Sequence, residues 1–303
     1  MSSARSSNRT HDRNTFFKYV TADVAQVILS KRTLRWSSPF LFNDPFDVPR
    51  TFTPGFSEAE LFRDISEEVA RLIEAGETPP HAAGSLLEPV FQLAASASTR
   101  DRTSIAEYLR AGLRDGSLKS DASFAEIKAF WEDLIPRFRI LCLSETKDSP
   151  PMWTHYSDRH RGAVIELLCH DALDSAWLVA RPVQYSDTPP QLATREAWVK
   201  RFSGQGTLSY EHLFREYQYA KSIAWSYERE WRVVTLVLQR EARLYSDGRF
   251  HPQEMCSVYL GEKMPDRTAE AILSLLRGDL SHVRAFRTVS DVATGRLRFD
   301  PIT

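Results

Sequence analysis

Between residues 57 and 135 the chain abandons the short β-rich runs that precede and follow it, and that break limits the folds open to it. Ser57-x-x-Glu60 is a capping box, in which side chain and backbone satisfy each other at the start of a helix. Leu61, Ile65, Val69 and Leu72 follow at helical spacing. Ser104-x-x-Glu107 has the same form, with Leu109 and Leu113 behind it, and Phe124, Ile127, Trp131 and Leu134 mark a further helix. Outside this stretch, residues 16–20, 33–37, 138–144, 162–168, 182–186 and 230–238 read as strands, with shorter ones at 258–261 and 283–286. Strands and helices do not alternate regularly, which argues against a doubly wound parallel sheet. The expectation is an α+β fold. Residues 15–303 form one domain around a mixed or antiparallel central sheet, with a helical insertion at 57–135 packed outside it. Residues 1–14, rich in Ser, Arg and Asn, read as a disordered lead-in.

Composition narrows the function classes. A formal net charge of -1 over 303 residues leaves no global basic field of the kind that binds nucleic acid, although a local patch stays open. Cys142, Cys169 and Cys256 are too widely spaced for a zinc motif or a disulfide framework. No apolar run reaches the roughly 18 residues a membrane helix needs, and no targeting leader is evident, so the chain reads as cytoplasmic. The glycine-rich dinucleotide and P-loop fingerprints are absent, as are HExxH and GxSxG.

The chemistry concentrates at Trp225-Ser226-Tyr227-Glu228-Arg229-Glu230-Trp231-Arg232. The β-branched run that follows, from Val233, reads as a buried strand. Side chains two apart on a strand share a face, so Glu228 and Glu230 are expected to point the same way, with Arg232 continuing their face and Arg229 opposite. Such a pair can be a salt-bridged strand entry or a catalytic couple. Glu230, nearer the rigid strand, is the first choice for the catalytic carboxylate. Lys221 is expected to close a helix just before the pair.

Other candidates are scattered. Asn43, Asp44 and Asp47 crowd around Pro45 and Phe46, either as a self-bonded turn or as a ligand-facing loop. Trp153 and Tyr156 fall three apart, so a helical turn puts both rings on one face. That face could be core or could stack a planar ring, with His155 beside it.

Taken together, several motifs resemble a bacterial family, domain of unknown function 2971 (DUF2971). They are Phe17-Lys18-Tyr19, Leu34-Arg35-Trp36-Ser37-Ser38-Pro39, Phe42-Asn43-Asp44-Pro45-Phe46-Asp47, Met152-Trp153-x-His155-Tyr156-x-Asp158-x-His160-x-Gly162 and Trp225-x-Tyr227-Glu228-x-Glu230-Trp231-Arg232. They fall in the family's order over about residues 16–262, and the family implies no settled activity. The layout also resembles ADP-ribosyltransferase folds, in particular those of the DarT-like group that modify nucleic acid. Lys18 and Tyr19 stand on the first strand, Ser37 ends the second, and Glu228-x-Glu230 opens a late one. The chain departs from better-known members in having no His or Arg at the first-strand position and no Ser-Thr-Ser tract.

That resemblance implies NAD as a substrate. Glu228 and Glu230 would stabilise the positive charge that develops on the ribose as nicotinamide leaves. Lys18, Tyr19, Ser37, Asn43, Trp153, His155, Tyr156 and Arg232 would bind the dinucleotide. The acceptor could be nucleic acid or protein, and the biological role that of a toxin or antiphage effector. Two other readings stay open: a metal-dependent nuclease or phosphodiesterase using Asp44, Asp47, Glu166 and the Glu pair, and a non-catalytic nucleotide-sensing or interaction module. Sequence gives no oligomeric state.

Overall fold

The computed structural model describes residues 5–50, 55–83, 85, 87–114, 121–188, 194–207, 217–238 and 242–302. It is α+β, with a large, mostly antiparallel sheet. The chain divides into two compact units, one of residues 1–50, 133–189 and 219–303, the other of 51–132 and 190–218. Residues 190–218 thus go with the helical stretch, although the sequence reading leaves them beside the strands.

The first unit holds the sheet. Its strands are β1 (Thr15–Val20), β2 (Thr33–Ser37), β3 (Phe138–Ser144), β4 (Ala163–Leu168), β5 (Arg181–Pro182), β8 (Glu230–Leu236), β9 (Tyr245–Arg249), β10 (Met255–Leu260), β11 (Arg284–Asp291) and β12 (Arg296–Pro301). The order is β12-β11-β10-β4-β1-β3-β2-β9, with β8 paired to β3 and β5. The β10–β11 pair is parallel. Residues 182–186 do not form one strand of this sheet. Val183 N–H still bonds Glu230 O, and the chain then leaves β8: β6 (Gln184–Ser186) pairs in parallel with β7 (Ala220–Ser222) as a separate ribbon. Asp247-Gly248, a dipeptide typical of turns, lies inside β9 opposite Arg35 and Leu34. Glycine is needed there because a Cβ would come within 2.7 Å of Trp36 Nε1.

The pleat sorts the core. Phe16, Ile165, Leu167, Val258 and Leu260 bury under α1 (Ala22–Lys31) and α8 (Asp266–Ser274). The alternate residues Phe17, Tyr19, Val164 and Tyr259 pack with Met152 and Trp153 of α6 (Pro150–Tyr156). Residues 5–14 are not a loose lead-in. Arg9 pairs with Asp171 at 2.6 Å, Thr10 N–H donates to Leu178 O, and the His11 ring meets Phe16 and Trp231 edge-on.

Three pairings of β3 position the site. β8 runs along the whole of β3, from Phe138↔Leu236 to Ser144↔Glu230. On the other edge of β3, β1 meets it only at Phe17↔Ser144 and β2 only at Ser37↔Ile140. Between these two contacts the Cys142 carbonyl has no strand partner, and Lys18 Nζ donates to it at 2.7 Å. The sheet is split there, and a cavity opens at the split.

The second unit contains α2 (Glu58–Ala75), α3 (Glu88–Ser96), α4 (Thr99–Arg114), most of α5 (Asp121–Leu134) and α7 (Arg195–Phe202). Val69, Leu72, Ile73, Phe91 and Ala94 form its core. The Ser57 capping box is present. Ser104 instead lies inside α4, its hydroxyl bonded to Arg100 O, and Ser98 with Asp101 stands at the start of that helix. Among the described residues no helix is long and apolar enough to cross a membrane.

Candidate functional site

Glu228 and Glu230 reach the same place by different routes from those the strand pattern suggests. Glu228 ends a 3-10 turn, Ile223–Glu228; Arg229 takes a left-handed conformation (φ 44°); and β8 begins only at Glu230. The chain reverses at Arg229, whose side chain is exposed. The two carboxylates flanking it converge on the ammonium group of Lys221. Lys221 is not at a helix end: it is the middle residue of β7.

The convergence is a buried ionic lattice. Lys221 Nζ lies 2.5 Å from Glu228 Oε2, 3.0 Å from Glu230 Oε2 and 3.3 Å from Asp47 Oδ2. Arg232, two residues along β8 and fully buried, donates Nε to Glu230 Oε1 at 2.8 Å, and its Nη2 meets both Asp47 oxygens at 2.8 and 2.7 Å. Asp47 reaches the lattice from the Asn43–Asp47 loop. That loop is also a self-bonded turn: Asp44 N–H donates to Asn43 Oδ1 and Phe46 N–H to Asp44 Oδ1. The self-bonded turn is thus present, and Asn43 and Asp47 also line the cavity.

The two glutamates differ in what holds them. Both oxygens of Glu230 accept from cations, Oε1 from Arg232 and Oε2 from Lys221 and Arg232. Burial opposes its charge, but Arg232 and Lys221 outweigh burial and keep its carboxyl well below the usual range. Among the described residues Glu228 pairs with one cation, Lys221. Its other oxygen accepts from Tyr156 OH at 2.5 Å, and Tyr156 OH in turn accepts from Asn43 Nδ2 at 3.4 Å. Here burial, with the nearby Glu230 charge, prevails over Lys221 and raises the carboxyl above its ordinary value. Burial and Glu228 likewise push the Tyr156 hydroxyl up, so it stays a donor.

The cavity has a volume of about 380 Å³, within the roughly 300–1,000 Å³ typical of small-molecule sites. Lys18, Tyr19, Ser37, Asn43, His155, Tyr156, Glu228 and Glu230 all line it, from segments spread across the unit. Two residues expected there are not among the lining. Trp153 is 0% exposed. It stacks on His160, donates Nε1–H to Lys147 O and packs in the core with Tyr19, Val164 and Tyr259, against which Tyr156 is only partly buried. Trp153 therefore cannot stack a ligand beside Tyr156. Arg232 supports the carboxylates from behind and does not meet the cavity. Sequence reasoning missed Lys221, Arg35 and Cys142 as site residues. A Lys seven positions before Glu228 in a short aromatic-rich run was the available signal for the first.

Of the acidic residues considered for metal binding, Asp47, Glu228 and Glu230 meet, but around Lys221 and Arg232, while Asp44 and Glu166 are engaged elsewhere. Asp47 is taken by Arg232 and Lys221, Glu166 accepts from Tyr259 OH at 2.8 Å, and Asp44 is bonded to its own turn. Among the described residues no cluster of three or more His, Cys, Asp or Glu could hold a metal ion.

The family model for a protein of unknown function, DUF2971, matches residues 152–233. That segment carries most of α6, Lys221, both glutamates and Arg232, so the resemblance read from the motifs stands over those residues. The match does not reach the Phe17 or Asn43 motifs. No curated protein and no solved structure matches the chain.

The raised Glu228 carboxyl has a measurable consequence. A group whose folded value lies above its unfolded one stabilises the fold fully below the unfolded value, and that contribution is lost as pH rises through the folded value. Glu228→Gln removes this dependence. The melting temperature of the wild type should therefore gain on that of the variant as pH is lowered from neutrality toward the ordinary carboxylate range, about 4.3. A constant difference across that window would show that Glu228 titrates normally.

Proposed function

We propose that this chain is an ADP-ribosyltransferase-like enzyme that breaks the nicotinamide–ribose bond of NAD, with Glu228 as the working carboxylate. The supporting observation is the unequal treatment of the two glutamates. Glu230 is neutralised by two cations, whereas Glu228 sits at the cavity with a single cation and a tyrosine hydroxyl. A carboxylate of raised pKa beside a reacting centre suits both charge stabilisation and proton acceptance near neutrality.

In this reading the C1′–N1 bond breaks and its electron pair leaves with nicotinamide, which departs neutral. Glu228 stabilises the positive charge on the ribose. An acceptor, water in the simplest case, bonds to C1′ and passes its proton to Glu228. Lys18, which has no carboxylate partner among the described residues, and Arg35 line the same cavity and would neutralise the pyrophosphate. Ser37 and Asn43 supply neutral hydrogen-bonding groups. The volume holds one end of a dinucleotide, with the remainder extending through the open side.

Incubating the purified protein with NAD, with and without cell lysate, should release nicotinamide, and Glu228→Gln should stop the release. No release under either condition would overturn the proposal. The sensing module is the second reading, favoured by the fact that every cavity carboxylate already has a partner. NAD that raises the melting temperature yet is never cleaved would select it.

A further inference from the structure

Arg229 is a non-glycine residue in the left-handed region (φ 44°), a conformation that costs free energy and persists only where the surroundings hold it. Three successive carbonyls of that reversal are held, all by one short segment. Ser149 Oγ donates to Tyr227 O at 3.2 Å, Ser144 Oγ to Glu228 O at 2.6 Å and Glu145 N–H to Arg229 O at 3.1 Å. The segment runs from the last residue of β3 to the N-cap of α6. It is fixed in turn by the sheet and the helix. Thr146 O accepts from Tyr19 OH at 3.0 Å, and Lys147 O from Trp153 Nε1 at 2.8 Å. The Lys147 ammonium lies 5.4 Å from the ring centres of Phe17 and Tyr259 and 5.3 Å from that of Phe299. Rings from β1, β10 and β12 thus surround one cation, which their electron-rich faces stabilise. Lys147 is half-buried and is not among the residues that line the cavity.

We propose that residues 144–149 form a clamp that sets where Glu228 stands in the cavity, and that Lys147 anchors the clamp as a positioning residue. Its effect on turnover rests on the proposed NAD chemistry; the clamp itself does not. The three bonds act on the backbone that carries the Glu228 side chain. The carboxylate is held by Lys221 and Tyr156. Tyr156 ends α6, the helix into which the segment leads. The backbone of Glu228 and the tyrosine on its carboxylate therefore depend on the same segment. Lys221 stands apart on β7. A shift of the segment moves Glu228 and Tyr156 together relative to that cation, and so changes the geometry on which the carboxylate's role depends. Trp153, which lies outside the cavity, gains a part here, because its indole N–H holds the carbonyl of the anchor residue.

The test compares the full chain with Lys147→Gln, which removes the cation, and Lys147→Arg, which keeps a cation for the rings. Hydrogen–deuterium exchange is read on peptides covering residues 223–230 and, as control, on α1. Nicotinamide release is measured in parallel. Lys147→Gln should speed exchange at 223–230 roughly 5-fold or more, the scale of one partly buried cation–π contact, with α1 unchanged. It should lower kcat about 10-fold with little change in KM, within the roughly 100-fold that a 1 Å misplacement can cost. Lys147→Arg should restore both. Ser149→Ala, which removes the bond to Tyr227 O, serves if Lys147→Gln melts early, and should act in the same direction. Unchanged exchange at 223–230, or an equal rise there and in α1, would overturn the clamp, since a purely structural lysine lowers stability everywhere. Faster exchange at 223–230 with unaltered kcat would overturn the positioning role. If the wild type releases no nicotinamide, the enzymatic reading falls, and the exchange result still decides whether Lys147 anchors a clamp on Glu228.

Discussion

Glu228→Gln is expected to lower NAD turnover by about 100-fold or more, the scale seen when one well-placed electrostatic group is lost, while leaving the fold at least as stable. The hydrogen bonds explain why the two effects separate. The Gln carbonyl oxygen can accept from Lys221 in place of Oε2, and its amide can donate to Tyr156 OH, which turns to accept. Both polar atoms of the new side chain keep a partner. The lattice goes from three carboxylates facing two cations to two facing two.

Glu230→Gln gives the opposite pattern. Both Glu230 oxygens accept from cations, so an amide NH2 must face the ammonium of Lys221 or the guanidinium of Arg232, donor against donor. That variant should lose stability first and activity as a consequence. Thermal melts of both variants beside nicotinamide release decide between the two assignments. If Glu230→Gln melts normally and is inactive while Glu228→Gln retains turnover, the catalytic role passes back to Glu230.

The site was partly legible before the structure because its most telling motif is local. Glu-x-Glu, Arg232 and the aromatic residues around them sit within one short stretch, and the residue types alone mark it as ionic. What the spacing misstated was geometry. A two-residue period puts side chains on one face only if the chain is already extended, and here the left-handed Arg229 interposes a reversal. Lys221 and Asp47 were harder. Each is a single charged residue in a stretch whose local signal points elsewhere, a helical spacing for Lys221 and a proline turn for Asp47. Their importance comes from tertiary pairing. Trp153 failed for a related reason: residues three apart share a helical face, but on α6 the boundary between core and cavity falls between Trp153 and Tyr156.

The same logic separates the strands that were read from those that were missed. β1, β3 and β4 are buried on both faces or nearly so and show as apolar runs. β9 and β12 are edges of the sheet, and β9 is built of Tyr, Ser, Asp, Gly and Arg, whose composition argues for a turn. Only its pairing with β2 makes it a strand.

Lys221→Met is expected to cost about 3–5 kcal/mol of stability, the usual scale for removing one partner of a buried ion pair. Lys221 is the ammonium on which Glu228, Glu230 and Asp47 converge, and its side chain is 4% exposed. Burial disfavours its charge, but the carboxylates overcome burial and hold its pKa above the ordinary lysine value. Without it, three largely buried carboxylates share Arg232 alone. The loss should shrink as pH falls toward the carboxylate range, since protonating one of the three removes the excess charge. Lys221→Met/Glu228→Gln provides the control. The double variant restores the wild-type excess of one carboxylate, so it should be more stable than Lys221→Met alone, with a coupling well outside the roughly 0.3–0.5 kcal/mol expected of independent sites. Denaturant unfolding of the four proteins at pH 7 and pH 5 measures this directly. If Lys221→Met unfolds at the wild-type midpoint at both pH values, the lattice is not a linked ionic unit, and the distinction drawn between Glu228 and Glu230 loses its physical basis.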